Sequence, residues 1–529
     1  MRNTNKTIAV LLFSILTAGT VMSGCSSSKT VESTSSPSPT QSTTEQSTAP
    51  VKEALKPYEV VMVYPDGPQK DLQKVNDAMN TYLKETYPDL NATIKLNPID
   101  WSAWGDKTNL MFASNEKFDL IFTASWFGFE GVYNKGALLP LDDLLLEYGQ
   151  DIEAVEKEFH DGARRKGKIY GIHTHQELGG LQGIAFSKEL VDKYKFDLTT
   201  IKKMADLEPM LKVIKENEPG VTPAVGPNFP LDWYFKSGHM DNAMEPIGLY
   251  LGEDATVRDN TFVNMYETPL YMDLARMTRS WFKAGYINKD ATTQGLDVWA
   301  KFKAKKAFAY IGTDMEILKD VNSPQLMEGK SKSLGVDIIQ LPLTFDQLRT
   351  GKLSATMQSI SGTSEDPARA MQVLNLFFKD KNMLTLFNFG VEGTHYVMNN
   401  GQIDQPSGIT PQTNPFYHDN MWQIGNQMLN YTRVGEDINK YQNYEKFNEF
   451  ISSRPSNMLG FTFDSEPVKN ELIAMDNIRK TYDPGFTTGQ LDPDKEVPNM
   501  IKKLKAAGLD KVMAETQKQY DEWRKANGK

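Results

Sequence analysis

Aromatic rings standing at turns are the side chains of this sequence with the clearest chemistry to offer. Trp101, Trp104, Trp126, Phe127, Trp233, Tyr234, Tyr396 and Trp422 mostly fall in turns or at the ends of expected elements. Sugar rings present C–H faces, so a saccharide cleft uses flat aromatic platforms, with Asp, Glu, Asn and Arg bonding the hydroxyls. Core packing competes with that reading, and for any single Trp it wins more often than not. Trp126 is the leading candidate, because it follows the carboxyl end of an expected strand at Phe118–Thr123. Trp233, in the Pro-rich stretch Pro230-Leu-Asp-Trp-Tyr, comes second. Trp281 and Trp299 lie on helical apolar stripes and are expected in the core.

The acids and histidines are less specific. His173, His175 and Glu177 alternate on an expected strand, so their side chains share one side. Two imidazoles and a carboxylate suit Zn²⁺ or Mn²⁺, but a closed tetrahedral site needs a fourth ligand, and an HxH pair alone is a weak motif. No metal or other cofactor is expected. Glu392 and His395 sit in the glycine-bracketed loop Gly390-Val-Glu-Gly-Thr-His-Tyr396, where ligand or hinge contact competes with loop capping. The motifs GxSxG, HExxH, GxxxxGK[ST] and GxGxxG are absent. A glycosidase pair needs only a spacing of about 5–10 Å in space, so Asp66, Glu177, Asp232 and Glu392 keep that chemistry open.

These residues need elements to hold them. Glu59–Val63 reads as a strand stopped by Tyr64-Pro-Asp-Gly-Pro68, and Asp71–Tyr87 carries a helical apolar stripe through Leu72, Val75, Met79 and Leu83. Further strands are expected at Ala92–Leu96, Phe118–Thr123, Gly167–His175, Lys306–Gly312 and Gly335–Pro342, with helices between them. Such alternation predicts an α/β fold with a mainly parallel sheet, whose ligands sit beyond the strands' carboxyl ends, here Tyr64–Asp66 and Thr123–Trp126. After Pro415 the chain reads mainly helical to Lys529.

The amino-terminal stretch carries an address. Ile8–Val21 is apolar or small throughout and would rise about 21 Å as a helix, short of the roughly 30 Å hydrocarbon core, which marks a signal segment. Met22-Ser-Gly-Cys25 follows and resembles the bacterial lipobox, with Cys25 the only cysteine among 529 residues. Ser26–Pro50 holds 15 Ser or Thr in 25 residues and is expected to be a tether of about 25–30 Å. Residues 1–24 contain Arg2, Lys6 and no acid, so their removal takes the formal charge from −10 to −12. An acidic chain without basic runs argues against nucleic acid.

The order of pieces also resembles a known family. Glu59–Val63 and its helix, Ala113–Ile121 before Ser125-Trp126, Gly136–Asp142, Gly167–Gly171, Phe302–Gly312 and Asp366–Met371 follow one another as in the family 1 extracellular solute-binding lipoproteins of bacterial ABC importers. Gly390–Tyr396, Trp422–Asn426 and Leu504–Val512 resemble the large branch with an extended C-terminal region. The resemblance implies two α/β lobes, a hinged cleft between them, and docking on ABC permease subunits. The expected organisation is a signal peptide at 1–24, lipidated Cys25 and tether at 25–56, a first lobe of 57–175 with 360–398, and a second lobe of 176–359 with 399–529. Crossings are expected at His173–Leu178, Ser354–Ser361 and Tyr396–Gly401. The expected protein is a monomer that captures an oligosaccharide outside the cell, anchored to the membrane by lipid. A surface glycosidase, or an importer-linked binder of peptide or another non-sugar solute, is the alternative. The expected ligand-binding set is Asp66, Trp101, Trp126, Glu177, Trp233, Glu392, Tyr396 and Trp422, with Trp126 and Trp233 facing each other across the cleft.

Overall fold

The structure, a computed structural model, describes residues 55–226, 233–252, 259–291, 298–343, 348–350 and 353–529. The signal segment, Cys25, most of the tether and Asp232 lie outside the described residues, and so does the side chain of Trp233. In chain order the strands that build the two main sheets are Tyr58–Pro65 (β1), Ala92–Ile99 (β2), Leu120–Thr123 (β3), Ile172–His173 (β4), Gln182–Ser187 (β5), Thr222–Val225 (β6), Ala307–Asp314 (β7), Gln325–Leu326 (β8), Ile338–Leu341 (β9) and Met357–Ile360 (β10).

The first sheet runs β2-β1-β3-β10-β4. Its first three strands are parallel, in register from Tyr58↔Ala92 to Pro65↔Ile99, as the alternation of strands and helices predicts. The helix Leu72–Thr86 buries Val75, Met79 and Leu83, one residue per turn, against this sheet. It also blunts the sheet's edge. The Asn80 and Asn76 side chains accept from Ile94 N–H (2.7 Å) and Leu96 N–H (2.8 Å) on the outer side of β2.

The second sheet runs β8-β9-β5-β7-β6. It is not mainly parallel: only β6 and β7 run together, while β5 pairs antiparallel with both β7 and β9. The reason is the point of entry. The chain enters this lobe from the first one, β5 runs away from the junction, and β7 and β9 both return towards it.

Each sheet has its own core. The first is built on Val60, Met62, Ile94, Phe122, Met357 and Phe377, the second on Ile184, Phe186, Leu211, Trp281 and Phe308. The helices Lys469–Thr487, Pro493–Ala506 and Leu509–Ala526 give Met475, Phe486, Met500 and Tyr520 to the second core, so the helical C-terminal region completes that lobe.

Two expected boundaries move. Residues 399–430 belong with the first lobe, because Phe416 and Ile424 are buried in its core. Withdrawing two such side chains from water is worth roughly 3–6 kcal/mol, which outweighs any preference for an early return. The third crossing is therefore not at Tyr396–Gly401, which forms part of a short hairpin with Gln402–Asp404. It falls after Arg433, which bonds Asp419 and the His418 carbonyl, and before the helix Lys440–Ser452, whose Phe447 and Ile451 pack with Leu178, Leu181 and Leu353. The second crossing takes up only the start of its expected range, Ser354–Ser361, since Met357–Ile360 is already a strand of the first sheet.

Candidate functional site

β1, β3 and β4 end, and β10 begins, at one edge of the first sheet, the edge facing the crossings. Trp126 stands there. Past β3 the chain turns tightly: Ser125 N–H donates to the Ser354 carbonyl (2.8 Å), Phe127 N–H to Ala124 (3.0 Å), and Gly128 closes the turn at φ 91°, where a Cβ would be strained. The indole Nε1–H of Trp126 donates to the Ala355 carbonyl at 2.6 Å, which fixes the ring against the second crossing. The ring is otherwise in the open, 56% exposed.

Two more indoles join it. Trp101, on a turn capped by the Asp100 carboxylate, stacks on Trp126 at 6.3 Å between centroids with 18° between planes. Trp422 lies 5.9 Å from Trp101 and 6.3 Å from Trp126. Phe127 backs Trp126 at 5.0 Å, and Trp104 is buried beneath. Trp422 is held by its neighbour Gln423, whose side-chain amide donates to the Pro65 carbonyl (2.6 Å) and whose own carbonyl accepts from Gln358 (2.9 Å) and Thr174 (3.1 Å). Three expected residues, far apart in the chain, thus form one aromatic platform, with Trp126 exposed and Trp101 and Trp422 half-buried around it. Such a surface binds apolar ring faces by area and quadrupole.

The crossings lie beside the platform. His175 belongs to the first lobe, donating its N–H to Gly425 (3.0 Å) and accepting from Gln427 N–H (2.9 Å). Gln176 and Leu178 belong to the second, since Asn448 donates to the Gln176 carbonyl (2.8 Å) and accepts from Leu178 N–H (2.9 Å). The bend between lobes in this strand is therefore confined to a few bonds. Gly425 has φ 74°, and a Cβ there would stand 2.4 Å from the Phe377 carbonyl oxygen, so only glycine fits.

The two histidines meet a common partner. His173 Nδ1 and His175 Nδ1 lie 2.9 and 2.6 Å from the two oxygens of Glu156, which is fully buried at the end of the helix Gln150–Glu156. Burial alone would raise that carboxyl; the charge and hydrogen bonds of the two imidazoles outweigh it and hold it below its ordinary value. His173 and His175 thus share one side, as their spacing predicts. Among the described residues no group of His, Cys, Asp and Glu has the arrangement of a metal site.

The remaining expected residues stand apart from the platform. Asp66 is buried, with one oxygen accepting from Gly67 N–H (2.8 Å) and the other 2.9 Å from His418 Nδ1, a bond that fastens the segment around His418. Tyr396 packs against Phe389 in a small separate cluster, its hydroxyl pushed up to about 12 by burial and by Glu392. Glu392 is exposed on the same loop, and His395 caps that loop by accepting from Val391 N–H and reaching Asp71. The loop meets the start of the helix Leu72–Thr86 through His395 with Asp71 and Thr394 with Lys74 (3.3 Å). Glu177 lies by Tyr441 and Tyr444, whose hydroxyls are raised first by burial and further by that carboxylate. Trp233 opens a helix, Trp233–Gly238, beyond the end of β6.

A cavity of about 720 Å³ opens next to Tyr444. Tyr417 and Asp419 of the first lobe border it, three to five residues before Trp422, and Trp299, Asp314 and Glu316 of the second lobe form the other side. Trp299 is half-buried on this wall instead of inside the core. Its helix, Val298–Lys303, is too short to show which flank of the stripe is covered; Trp281, on a long helix, is fully buried as expected.

The chain as a whole is similar to known proteins. The family of bacterial extracellular solute-binding proteins matches residues 65–384. The chain belongs to that family. A domain of unknown function matches residues 457–525, the helices that complete the second core. A carbohydrate ABC transporter substrate-binding protein of Streptococcus pneumoniae serotype 4 is 27% identical over 480 residues, covering 88% of this chain and 91% of the relative. The crystal structure of an N-glycan transport solute binding protein from Streptococcus pneumoniae superimposes with a TM-score of 0.74 at 25% identity, covering 89% of this chain and 99% of that one. Its complex with Man5GlcNAc gives 0.65 at 26% identity over the same shares.

Proposed function

We propose that this protein captures an oligosaccharide outside the cell, closes its two lobes on it, and delivers it to the permease subunits of an ABC importer, held at the membrane by a lipid on Cys25. The observation that carries this reading is the platform of Trp101, Trp126 and Trp422, presented at the strand ends beside the crossings. Its three rings lie about 6 Å apart, so it spans more than one sugar ring, and the exposed face of Trp126 would be costly unless something covers it. The carbohydrate and N-glycan proteins similar to this chain support the same ligand class. Closure follows from differential affinity: a ligand touching both lobes favours the closed state, and one touching a single lobe shifts nothing.

The test is calorimetric titration with neutral oligosaccharides alongside chromatography of the recovered sugar. A saturable heat with the sugar recovered intact is expected. Shortened products would overturn capture without turnover. For the anchor, Cys25→Ala should release the protein from the membrane fraction; unchanged membrane retention would remove the lipid from the account.

A further inference from the structure

Resting on that reading, we infer that the 720 Å³ cavity is a second subsite, which takes the far, uncharged and hydroxyl-rich end of the oligosaccharide and selects against acidic sugars. The argument begins with charge. Two of its ion pairs are closed: Arg433 with Asp419 at 2.6 Å and Lys440 with Glu436 at 2.8 Å. Three more carboxylates are held by neutral donors. Asp314 accepts from the Gln182 amide (3.0 Å), Glu316 from Lys330 N–H (2.8 Å), and Asp437 from Asn439 N–H and the Asn443 amide (both 2.8 Å). Against these stand Lys330 and Lys332, which have no ion pair among the described residues. By formal count the five acids and four cations lining the cavity leave its wall at −1.

That mixture suits a sugar hydroxyl, which donates to a carboxylate and accepts from an ammonium at the same time. It suits an anion poorly, because a sugar carboxylate finds more negative than positive charge in a partly enclosed space. Trp299 adds the apolar face, with Tyr310 edge-on at 5.2 Å and Lys330 4.9 Å above its ring. The volume falls within the range of about 300–1,000 Å³ usual for ligand sites, beyond what the open platform needs. Because Tyr417 and Asp419 belong to the first lobe, a ligand filling this space also engages both lobes, which the platform alone cannot do.

The experiment measures affinity for neutral oligosaccharides from disaccharide to hexasaccharide, mannose–N-acetylglucosamine chains among them, with wild type, Trp126→Ala, Asp314→Asn and Trp299→Phe. Asp314 is exposed and Asn keeps its shape, so folding survives the change. For Asp314→Asn and Trp299→Phe the loss should grow with ligand length, to about tenfold for the longest. For Trp126→Ala the loss should be the same at every length. A uronate-terminated chain should bind about tenfold more weakly than its neutral counterpart at low salt, with the gap narrowing as salt rises. Length-independent losses for both cavity variants, or tighter binding of the uronate-terminated chain, would overturn the subsite. If no neutral oligosaccharide binds wild type, or Trp126→Ala changes no affinity, the oligosaccharide reading itself falls.

Discussion

Two patches at the same edge of the first sheet are built on opposite terms. The indole platform is open, held by a few hydrogen bonds at its base, with most of Trp126 in solvent. The crossing next to it is closed, with Glu156, His173 and Thr174 almost inaccessible and the main chain bonded on both sides. Trp126, the exposed ring of the platform, can be lost without leaving a cavity, so its replacement should register in ligand affinity. The crossing can lose nothing without orphaning a buried group, so its changes should register in stability.

The contrast can be broken most forcefully at Gly425. Alanine there needs φ 74° and puts Cβ 2.4 Å from a carbonyl oxygen, so unfolding by denaturant should show a loss of about 2–4 kcal/mol. A loss within experimental error would mean the crossing yields far more than its bonding suggests. Trp126→Ala should weaken oligosaccharide binding by about 1–3 kcal/mol while the unfolding temperature of the free protein hardly moves. A sharp drop in that temperature would make Trp126 a core residue and dissolve the contrast.

Glu156→Gln sharpens it from the other side, at about 1–2 kcal/mol of stability near neutral pH. The carboxyl is lowered in the folded chain, so its contribution is complete above the unfolded value of 4.5 and fades as pH falls from there through the native value. Wild type and variant stabilities should therefore converge below pH 4.5; parallel curves would exclude this linkage. The smallest effect is expected at Glu392→Gln, within about 0.5 kcal/mol in both stability and affinity, since the residue is exposed and away from both patches. A clear loss of affinity there would return that loop to the site.

The first lobe was more legible than the second. Val75, Met79 and Leu83 at helical spacing, and β-branched runs ending in Pro or Gly, encode local structure directly, and the parallel strands of the first sheet follow. Trp101, Trp126 and Trp422 were recognisable because they stand where elements stop, which is where rings become free to face solvent. The antiparallel second sheet was not readable, because strand direction depends on where a crossing delivers the chain. Asp66 was misread for a related reason: a carboxylate at a strand's end can face a ligand or a partner, and here the partner is His418, 352 residues away. The aromatic content of 399–430 gave no sign of which core it would join.

The way the lobes are interleaved has a consequence for when folding can finish. The first core waits for Phe416 and Ile424, and the second for Tyr520, almost the last turn of the last helix. Neither lobe exists as an uninterrupted stretch of sequence, and both depend on contacts across hundreds of residues, which form slowly. A nascent chain threaded in this way offers no early folded half. It stays extended and passable until nearly all of it has been made, the condition a polypeptide needs if it is to be drawn through a narrow channel before acquiring its shape.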